Sequence, residues 1–166
     1  EPSLDLGPMP LANAFLSSPA EAAHEVSYPL AVTMCPTCTL VQLTYVVPAQ
    51  QLYRNYIYVS STSEAVTAHA AWLAEELPRR YGWTQDHLLV EIASNDGTVL
   101  KAFQRAGMRV LGVERASNIA ALAQADGVPT DTDFFTAATA RTIAARAGRA
   151  HGILGRHVFA HVDDLH

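Results

Sequence analysis

The sequence predicts an α/β fold with a parallel sheet, preceded by a small β-rich module. Two observations lead to this interpretation. From residue 85 onward, short apolar runs alternate with stretches of helical periodicity, and such alternation is typical of parallel sheets. Before residue 54, the chain is instead rich in Pro, Leu and Val and holds short β-type runs. We therefore expect three parts: a module at 1–53, a bridging segment at 54–84 and an α/β part at 85–166.

The composition is that of a globular protein. Its 166 residues are 49% hydrophobic and 16% charged, which excludes a disordered tail. No apolar run approaches the roughly 20 residues of a membrane span, and the first residues lack the basic start of a signal peptide. Residues 1–53 hold four acidic residues and no Lys or Arg, which disfavours contact with a nucleic-acid backbone. We expect a cytoplasmic protein that binds neither nucleic acid nor membrane.

The first module is predicted to form two β-type runs around a tight turn. The runs cover residues 28–34 and 40–47, and a C-P-T-C turn at 35–38 lies between them. Two cysteines are too few for a disulfide framework. Such a turn can supply two of the four ligands of a structural zinc site, but the residues alone also allow a redox motif or two small buried side chains. A lone histidine such as His24 is usually a surface or packed residue.

A helix is predicted over residues 65–80 in the bridging segment. Ser61 and Glu64 have the spacing of a capping box, and apolar residues recur behind them near helical spacing. We interpret this helix as the link between the two modules.

The elements of the α/β part follow from the alternation of apolar runs with helical stretches. Gly107 and Gly127 stand where its first two helices are expected to end. In chain order the elements are a strand at 88–93, a helix at 98–106, a strand at 109–114, helices at 118–125 and 137–147, and a strand at 151–155.

The turn after the first of these strands carries the strongest chemical signal. Residues 91–97 end an apolar strand and open a helix, where a parallel sheet offers free N–H groups to ligands. Glu114 ends the next strand nineteen residues after Asn95, the place of a carboxylate that accepts the two hydroxyls of a ribose. Ala93 and Asn95 stand where a dinucleotide fold prefers glycine, so a pyrophosphate fits poorly and an adenosyl group without phosphates remains possible. The alternative is an ordinary Asn-Asp-Gly turn.

Six motifs resemble, in the same order, the signatures of the S-adenosylmethionine-dependent sugar C-methyltransferases. These enzymes methylate nucleotide-linked 4-keto-deoxysugars at C3 in antibiotic sugar synthesis. The resemblance implies an N-terminal zinc-binding domain, a central Rossmann-type methyltransferase domain and a C-terminal domain that helps to form the sugar site. The motifs lie at residues 6–16 (LGPMPLANAFL), 28–30 (YPL), 35–43 (CPTCTLVQL), 56–63 (YIYVSSTS), 91–97 (EIASNDG) and 161–166 (HVDDLH).

The chain also departs from the family pattern. Family members carry four zinc ligands, usually as two C-x-x-C pairs, and their methyltransferase sheet normally has seven strands. This chain holds one such pair and about four predicted strands in its α/β part. We expect it to be a middle piece of a longer protein, with the first ligand pair and the C-terminal residues of the sugar site outside it.

The resemblance implies two cofactors, S-adenosylmethionine and a structural zinc ion. Cys35 and Cys38 are the implied zinc ligands. Asp133, which the resemblance places in a loop at the adenine, could also be the N-cap of the helix that follows it. The implied S-adenosylmethionine site comprises the turn, the ribose carboxylate and a loop at the adenine, namely Glu91, Ala93, Ser94, Asn95, Gly97, Glu114, Asp133 and Phe134.

The implied reaction needs a base for the proton next to the 4-keto group, a donor for the enolate oxygen and a dry pocket. Tyr58 and His161 are the catalytic candidates, with Tyr56 and His157 as substrate contacts. The tyrosines could instead form an aromatic cover at the junction of the modules. Two functions stay open: a methyltransferase acting on a nucleotide-linked keto-deoxysugar, or a non-catalytic module that binds S-adenosylmethionine or a partner.

Overall fold

The chain forms two compact units, Glu1–Tyr53 and Arg54–His166. The structure is a computed structural model, and it describes residues 2–53 and 56–162. The predicted three-part division, with its boundary between residues 84 and 85, stays a prediction. Every helix in the described residues is too short or too polar to cross a lipid bilayer.

The first unit is built on a three-stranded antiparallel sheet. Its strands are β1 (Leu4–Pro10), β2 (Ser27–Met34) and β3 (Val41–Leu43), in the order β1-β2-β3. A 3₁₀ helix, Pro19–His24, lies between β1 and β2, and a short helix α1 (Ala49–Leu52) follows β3. The C-terminal β run is shorter than predicted, since only three residues of the 40–47 run are strand.

Little of this unit is buried. Ala31 on β2 is the only hydrophobic residue of described residues 2–53 that is buried. Polar and aromatic contacts supplement that core, since the Tyr28 hydroxyl donates to Gln51 Oε1 at 2.8 Å and the Tyr28 ring stacks on Tyr45. A unit of this size with so small a core commonly needs a further staple, such as a metal ion.

The second unit is an α/β fold with a parallel sheet, as predicted. Its helices and strands alternate along the chain after one long helix. They are α2 (Glu64–Tyr81), β4 (Leu88–Ile92), α3 (Thr98–Arg105), β5 (Arg109–Val113), α4 (Ser117–Ala125), β6 (Thr130–Asp131), α5 (Ala137–Ala147) and β7 (Gly152–Gly155), with 3₁₀ helices at Ser60–Thr62 and Phe159–His161.

Strand β4 is the centre of this sheet. The strand order is β6-β5-β4-β7 and all pairs are parallel, which is the order of the first four strands of a Rossmann-type sheet. Successive residues of β4 point to opposite faces. Leu89 joins a core cluster with Phe103 of α3 and Ala70 of α2, whereas Val90 joins a second cluster with Ile143 of α5. Helices therefore cover both faces of the sheet.

Helix α2 begins two residues later than the predicted capping box requires. Its N-cap is Ser63, whose hydroxyl accepts a hydrogen bond from the Val66 amide at 3.4 Å. Ser61 lies in the preceding 3₁₀ helix, and its amide donates to Asp96 instead. The Ser61–Glu64 capping box was therefore wrong, because a tertiary contact holds Ser61 outside the helix.

Candidate functional site

The candidate site lies at the edge of the sheet where the parallel strands end. Strand β5, the next strand along the chain, pairs with one side of β4, and the later strand β7 pairs with the other side. The sheet thus has a switch point between β4 and β7, and open α/β sheets bind ligands beyond the carboxyl ends of their strands at such a point. The structure places the 93–97 turn, Glu114 and the loop after β7 at this edge.

The turn after β4 has three residues in the left-handed backbone region. The φ angles of Ala93, Asn95 and Gly97 are +53°, +53° and +73°. A dinucleotide fold would use glycine for such angles, and here a side chain occupies two of the three positions. At Gly97 a Cβ would lie 3.1 Å from the Val128 side chain, a tight contact that adds to the backbone reason for glycine at this position.

The carboxylate of Glu114 fixes this turn. Its Oε2 atom accepts from the Asn95 amide at 2.9 Å, and its Oε1 atom accepts from the Ala116 amide at 2.8 Å. Glu114 is only 7% exposed. Each carboxylate oxygen keeps a second lone pair, so these two contacts leave acceptor capacity for hydroxyl groups.

A segment that we call the strap, residues 56–61, is bound to the same edge. Asn118 at the start of α4 accepts from the Tyr56 amide at 3.3 Å and donates to the Tyr56 carbonyl at 2.6 Å. The Asn95 side chain accepts from the Ser60 amide at 2.8 Å and donates to the Tyr58 carbonyl at 3.0 Å. The structure therefore brings the main chain of Tyr58 to the turn, through the side-chain amide of Asn95, and the main chain of Tyr56 to the start of α4.

Asp96 ties the strap and helix α3 together. Its Oδ2 atom accepts from the Ser61 amide at 3.1 Å, and its Oδ1 atom accepts from the hydroxyl and amide of Thr98 at 2.7 and 3.2 Å. Burial alone would raise the pKa of Asp96, but hydrogen bonds from Ser61 and Thr98 outweigh it and hold that pKa below its usual value. Asp96 is therefore a fixed negative charge of this edge.

Glu91 forms a buried ion pair that sequence reasoning missed. Its Oε1 atom lies 3.0 Å from Nε of Arg156, in the loop after β7, and the Glu91 side chain is 1% exposed. Burial raises the pKa of Glu91 to about 7, although the charge of Arg156 opposes this shift. Glu91 lies opposite Leu154 in the β4–β7 pairing, so only the strand order reveals that Arg156 is its neighbour.

Two buried polar atoms, one on β4 and one in the turn after it, have no hydrogen-bond partner among the described residues. They are Glu91 Oε2 and the hydroxyl oxygen of Ser94, and both are buried. Buried polar atoms in proteins are almost always hydrogen-bonded. Unsatisfied atoms at a switch point are typical of a site that receives a polar ligand.

The predicted histidines lie in the loop after β7, which also contains Arg156. His157 is exposed and has a φ of +54°, and His161 is exposed at the end of the 3₁₀ helix Phe159–His161. Residues 163–166 of the last family motif lie outside the described residues. The assignment of His161 and Tyr58 as catalytic, and of Tyr56 and His157 as substrate contacts, stays a prediction.

The predicted adenine loop follows β6. Asp133 Oδ1 accepts from the Phe134 amide at 2.8 Å, and the guanidinium carbon of Arg115 lies 5.2 Å from the centre of the Phe134 ring. The alternative in which Asp133 caps α5 is wrong, because Thr136 is the N-cap and accepts from the Thr139 amide at 3.2 Å. The Phe134 ring therefore lies next to Arg115, the residue that directly follows Glu114.

The cysteines lie in a tight turn between β2 and β3. The Cys35 amide donates to the Leu40 carbonyl and its carbonyl accepts from the Thr39 amide, both at 2.9 Å. Cys35 and Cys38 are free thiols, and hydrogen bonds from the backbone of Cys38 and Thr37 lower the pKa of the Cys35 thiol. A lowered pKa favours the thiolate that binds metal.

These two thiols are not part of a larger ligand group. Across residues 2–53 and 56–162, no three His, Cys, Asp or Glu side chains are arranged to hold a metal ion. His24 therefore does not complete a site with the two cysteines. The assignment of Cys35 and Cys38 as zinc ligands stays a prediction.

Comparison with known proteins connects both units to C-methyltransferases. Residues 1–53 match a family model described as "Putative zinc binding domain". The chain is 37% identical over 163 residues to C-methyltransferase NovU of Streptomyces niveus. This match covers 98% of the chain and 39% of that protein, so the chain spans about two fifths of its relative's length. The resemblance to a C-methyltransferase that the motifs indicate is confirmed.

Glu91 is expected to make stability depend on pH. Because its pKa rises from 4.5 to about 7 on folding, the folded state holds the proton more tightly, and this contribution to stability is lost as the pH rises from 4.5 to about 7. The Glu91→Gln variant has no titratable group at this position. Between pH 4.5 and about 7, the unfolding free energy of the wild type should therefore fall relative to that of Glu91→Gln by on the order of 3 kcal/mol. Denaturant unfolding at several pH values measures the difference. The exposed Glu75→Gln variant is the control, and parallel profiles for wild type and Glu91→Gln would contradict the assignment.

Proposed function

We propose that the second unit is the S-adenosylmethionine-binding part of a C-methyltransferase that methylates C3 of a nucleotide-linked 4-keto-deoxysugar. The observation that carries this proposal is the acidic edge at the switch point. Glu91, Asp96 and Glu114 end or follow strands there, and all three are buried. Carboxylates repel a pyrophosphate and attract a cation. S-adenosylmethionine combines a sulfonium and an ammonium group with a ribose, and it carries no phosphate.

The chain's residues fit this cofactor at three places. Glu114 has a free lone pair on each oxygen for the ribose hydroxyls. Glu91 Oε2 and the Ser94 hydroxyl are buried acceptors in need of a partner near the amino-acid end. Phe134, at the loop after β6, offers an aromatic face for the adenine. When bound, S-adenosylmethionine supplies a methyl group that is already activated for transfer.

The remaining task of the protein is to prepare the carbon nucleophile. A base must take the C3 proton next to the keto group, and a hydrogen-bond donor must stabilise the enolate oxygen. Tyr58 is held over the turn by its carbonyl bond to Asn95, and His161 lies in the loop after β7. We assign proton transfer to these two residues, with Tyr56 and His157 as contacts to the sugar nucleotide.

The first unit is proposed to bind a structural zinc ion through Cys35 and Cys38. The thiols share one turn, the Cys35 pKa is lowered, and the described part of this unit has one buried hydrophobic residue. Two further ligands come from outside the described residues. The free thiols also favour the cytoplasm, where a reducing environment keeps them from forming disulfides.

Replacement of Glu114 tests the cofactor site. Glu114→Gln removes the charge that strengthens hydrogen bonds to the ribose, so the dissociation constant for S-adenosylhomocysteine should rise by about tenfold to a hundredfold. Isothermal titration calorimetry on the full-length protein measures this change, with Glu75→Gln as the matched control. An unchanged dissociation constant for Glu114→Gln would remove Glu114 from the site.

Replacement of the two proton-transfer candidates tests the reaction. Tyr58→Phe and His161→Ala should each slow methylation by about 10²–10⁴-fold, because acid–base groups contribute that much, while cofactor affinity stays near the wild-type value. Mass spectrometry of the sugar product gives the rates in the full-length protein. Tyr81→Phe and His69→Ala are the controls, since both residues lie on α2. Normal turnover in both test variants would assign the base to other residues, and binding without any turnover in the wild type would favour a non-catalytic module.

Replacement of a cysteine tests the metal. The full-length protein should contain about one zinc per chain, and Cys38→Ser should lower both zinc content and thermal stability. Elemental analysis of protein purified without chelator measures the metal. Thr37→Ser changes the same turn without removing a thiol and should leave the zinc in place. Absence of zinc from the wild-type protein would refute this part of the proposal, and activity that follows the thiol–disulfide state would favour a redox motif.

A further inference from the structure

Two asparagine side chains bind the main chain of the strap at the sheet edge. Asn118 binds the amide and the carbonyl of Tyr56. Asn95 accepts from the Ser60 amide at 2.8 Å and donates to the Tyr58 carbonyl at 3.0 Å. These bonds fix the path of the strap without using the Tyr58 ring, and Tyr58 is 44% exposed. The strap therefore presents Tyr58 from a main chain that is held in place.

Asn95 is bound from two directions. Its amide donates to Glu114 Oε2 at 2.9 Å, so its main chain is part of the turn that Glu114 fixes. Its side chain is bound to the strap instead, and the residue is buried. Asn95 therefore connects the proposed ribose carboxylate with the main chain of Tyr58.

The backbone of Asn95 makes its side chain informative. At a φ of +53°, glycine is the residue without strain, but glycine has no group that could bind the strap. An ionised aspartate has only acceptors, so it cannot bind a carbonyl. An asparagine side chain has a donor and an acceptor, and it tolerates the left-handed region better than most side chains. The two contacts with the strap therefore account for asparagine at this position.

We propose that Asn95 is a positioning residue for methyl transfer, which holds the Tyr58 main chain so that the Tyr58 hydroxyl meets the sugar at a fixed distance from the cofactor. This inference rests on the proposed function, in which Tyr58 takes part in proton transfer. An acid–base group acts only within hydrogen-bond reach of the proton that it moves, and a displacement of about 1 Å can cost on the order of a hundredfold in rate. Asn95 influences the rate through Tyr58.

The Asn95→Gly variant separates the strap contact from the turn. Glycine suits the left-handed backbone and keeps the amide that donates to Glu114, whereas both bonds to the strap are lost. In the full-length protein, kcat for methylation should fall by about tenfold to a hundredfold. The dissociation constant for S-adenosylhomocysteine should stay near the wild-type value, because the turn is kept. Mass spectrometry of the sugar product and calorimetry measure the two quantities.

A double variant shows whether Asn95 acts through Tyr58. If it does, adding Asn95→Gly to Tyr58→Phe should slow methylation little beyond Tyr58→Phe alone, since residues that act as a unit are not additive. A general loss of structure would multiply the two effects instead. Hydrogen exchange gives a readout without turnover. The Ser60 amide should exchange faster in Asn95→Gly, whereas the Ser61 amide, which donates to Asp96, should not.

Two further variants complete the test. Gln104→Ala removes a side-chain amide bond to the Gly127 carbonyl, at the other end of α3, and should leave kcat unchanged. Asn95→Asp keeps an acceptor for the Ser60 amide and loses the donor to the Tyr58 carbonyl, so it should be slow like Asn95→Gly.

The outcomes separate this inference from the proposed function. A wild-type kcat in Asn95→Gly or Asn95→Asp, multiplied losses in the double variant, or a large loss of S-adenosylhomocysteine affinity in Asn95→Gly would overturn the inference and leave the proposed function intact. A wild-type rate in Tyr58→Phe would overturn the assignment of Tyr58 and the inference with it.

Discussion

The burial of three carboxylates at one edge of the parallel sheet is the constraint on which the arrangement of the surrounding loops depends. Glu91, Asp96 and Glu114 are each less than a tenth exposed, and each has a different set of partners. Glu91 pairs with a guanidinium, Asp96 accepts from a hydroxyl and two amides, and Glu114 accepts from two amides. Because an unpaired buried charge is costly, the loops must come close enough to supply these partners. The loop after β7, the strap and the turn after β4 therefore meet at one place.

This constraint explains how the turn works without the usual glycines. The Glu114 carboxylate holds the Asn95 amide, and the Asn95 side chain holds the strap through Tyr58 and Ser60. Left-handed backbone at Ala93 and Asn95 carries a strain of about 1–3 kcal/mol for each residue, and persists only where the surroundings over-determine it. Hydrogen bonds to buried charged groups are among the stronger ones and offset that strain. The same carboxylates give the edge a negative charge, which is unfavourable for a phosphate.

The sequence was sufficient for most helices and strands of the second unit, but not for the order in which the strands pair. Apolar periodicity located β4, α3, β5 and α5 to within a residue or two, because burial on a sheet or helix face leaves a regular pattern. Periodicity contains no strand order, so the meeting of Arg156 with Glu91 could not be read from it. The two-residue strand β6 is too short to leave a pattern. The cap of α2 was misplaced because Asp96, thirty-five residues along the chain, binds the Ser61 amide and keeps Ser61 out of the helix. The position of Glu114 at the end of the second strand could be predicted because its spacing from the turn is a local signal, and its role as a ribose ligand stays a prediction.

The raised pKa of Glu91 indicates that burying this carboxyl group costs stability. A carboxyl group with a pKa of about 7 is half protonated near neutrality, so Arg156 compensates its burial only in part. A hydrophobic residue at this position would remove that cost, and buried ion pairs generally can be replaced in this way without loss of stability. A ligand with an ammonium group changes the balance, because a second positive charge beside Oε2 favours the ionised form.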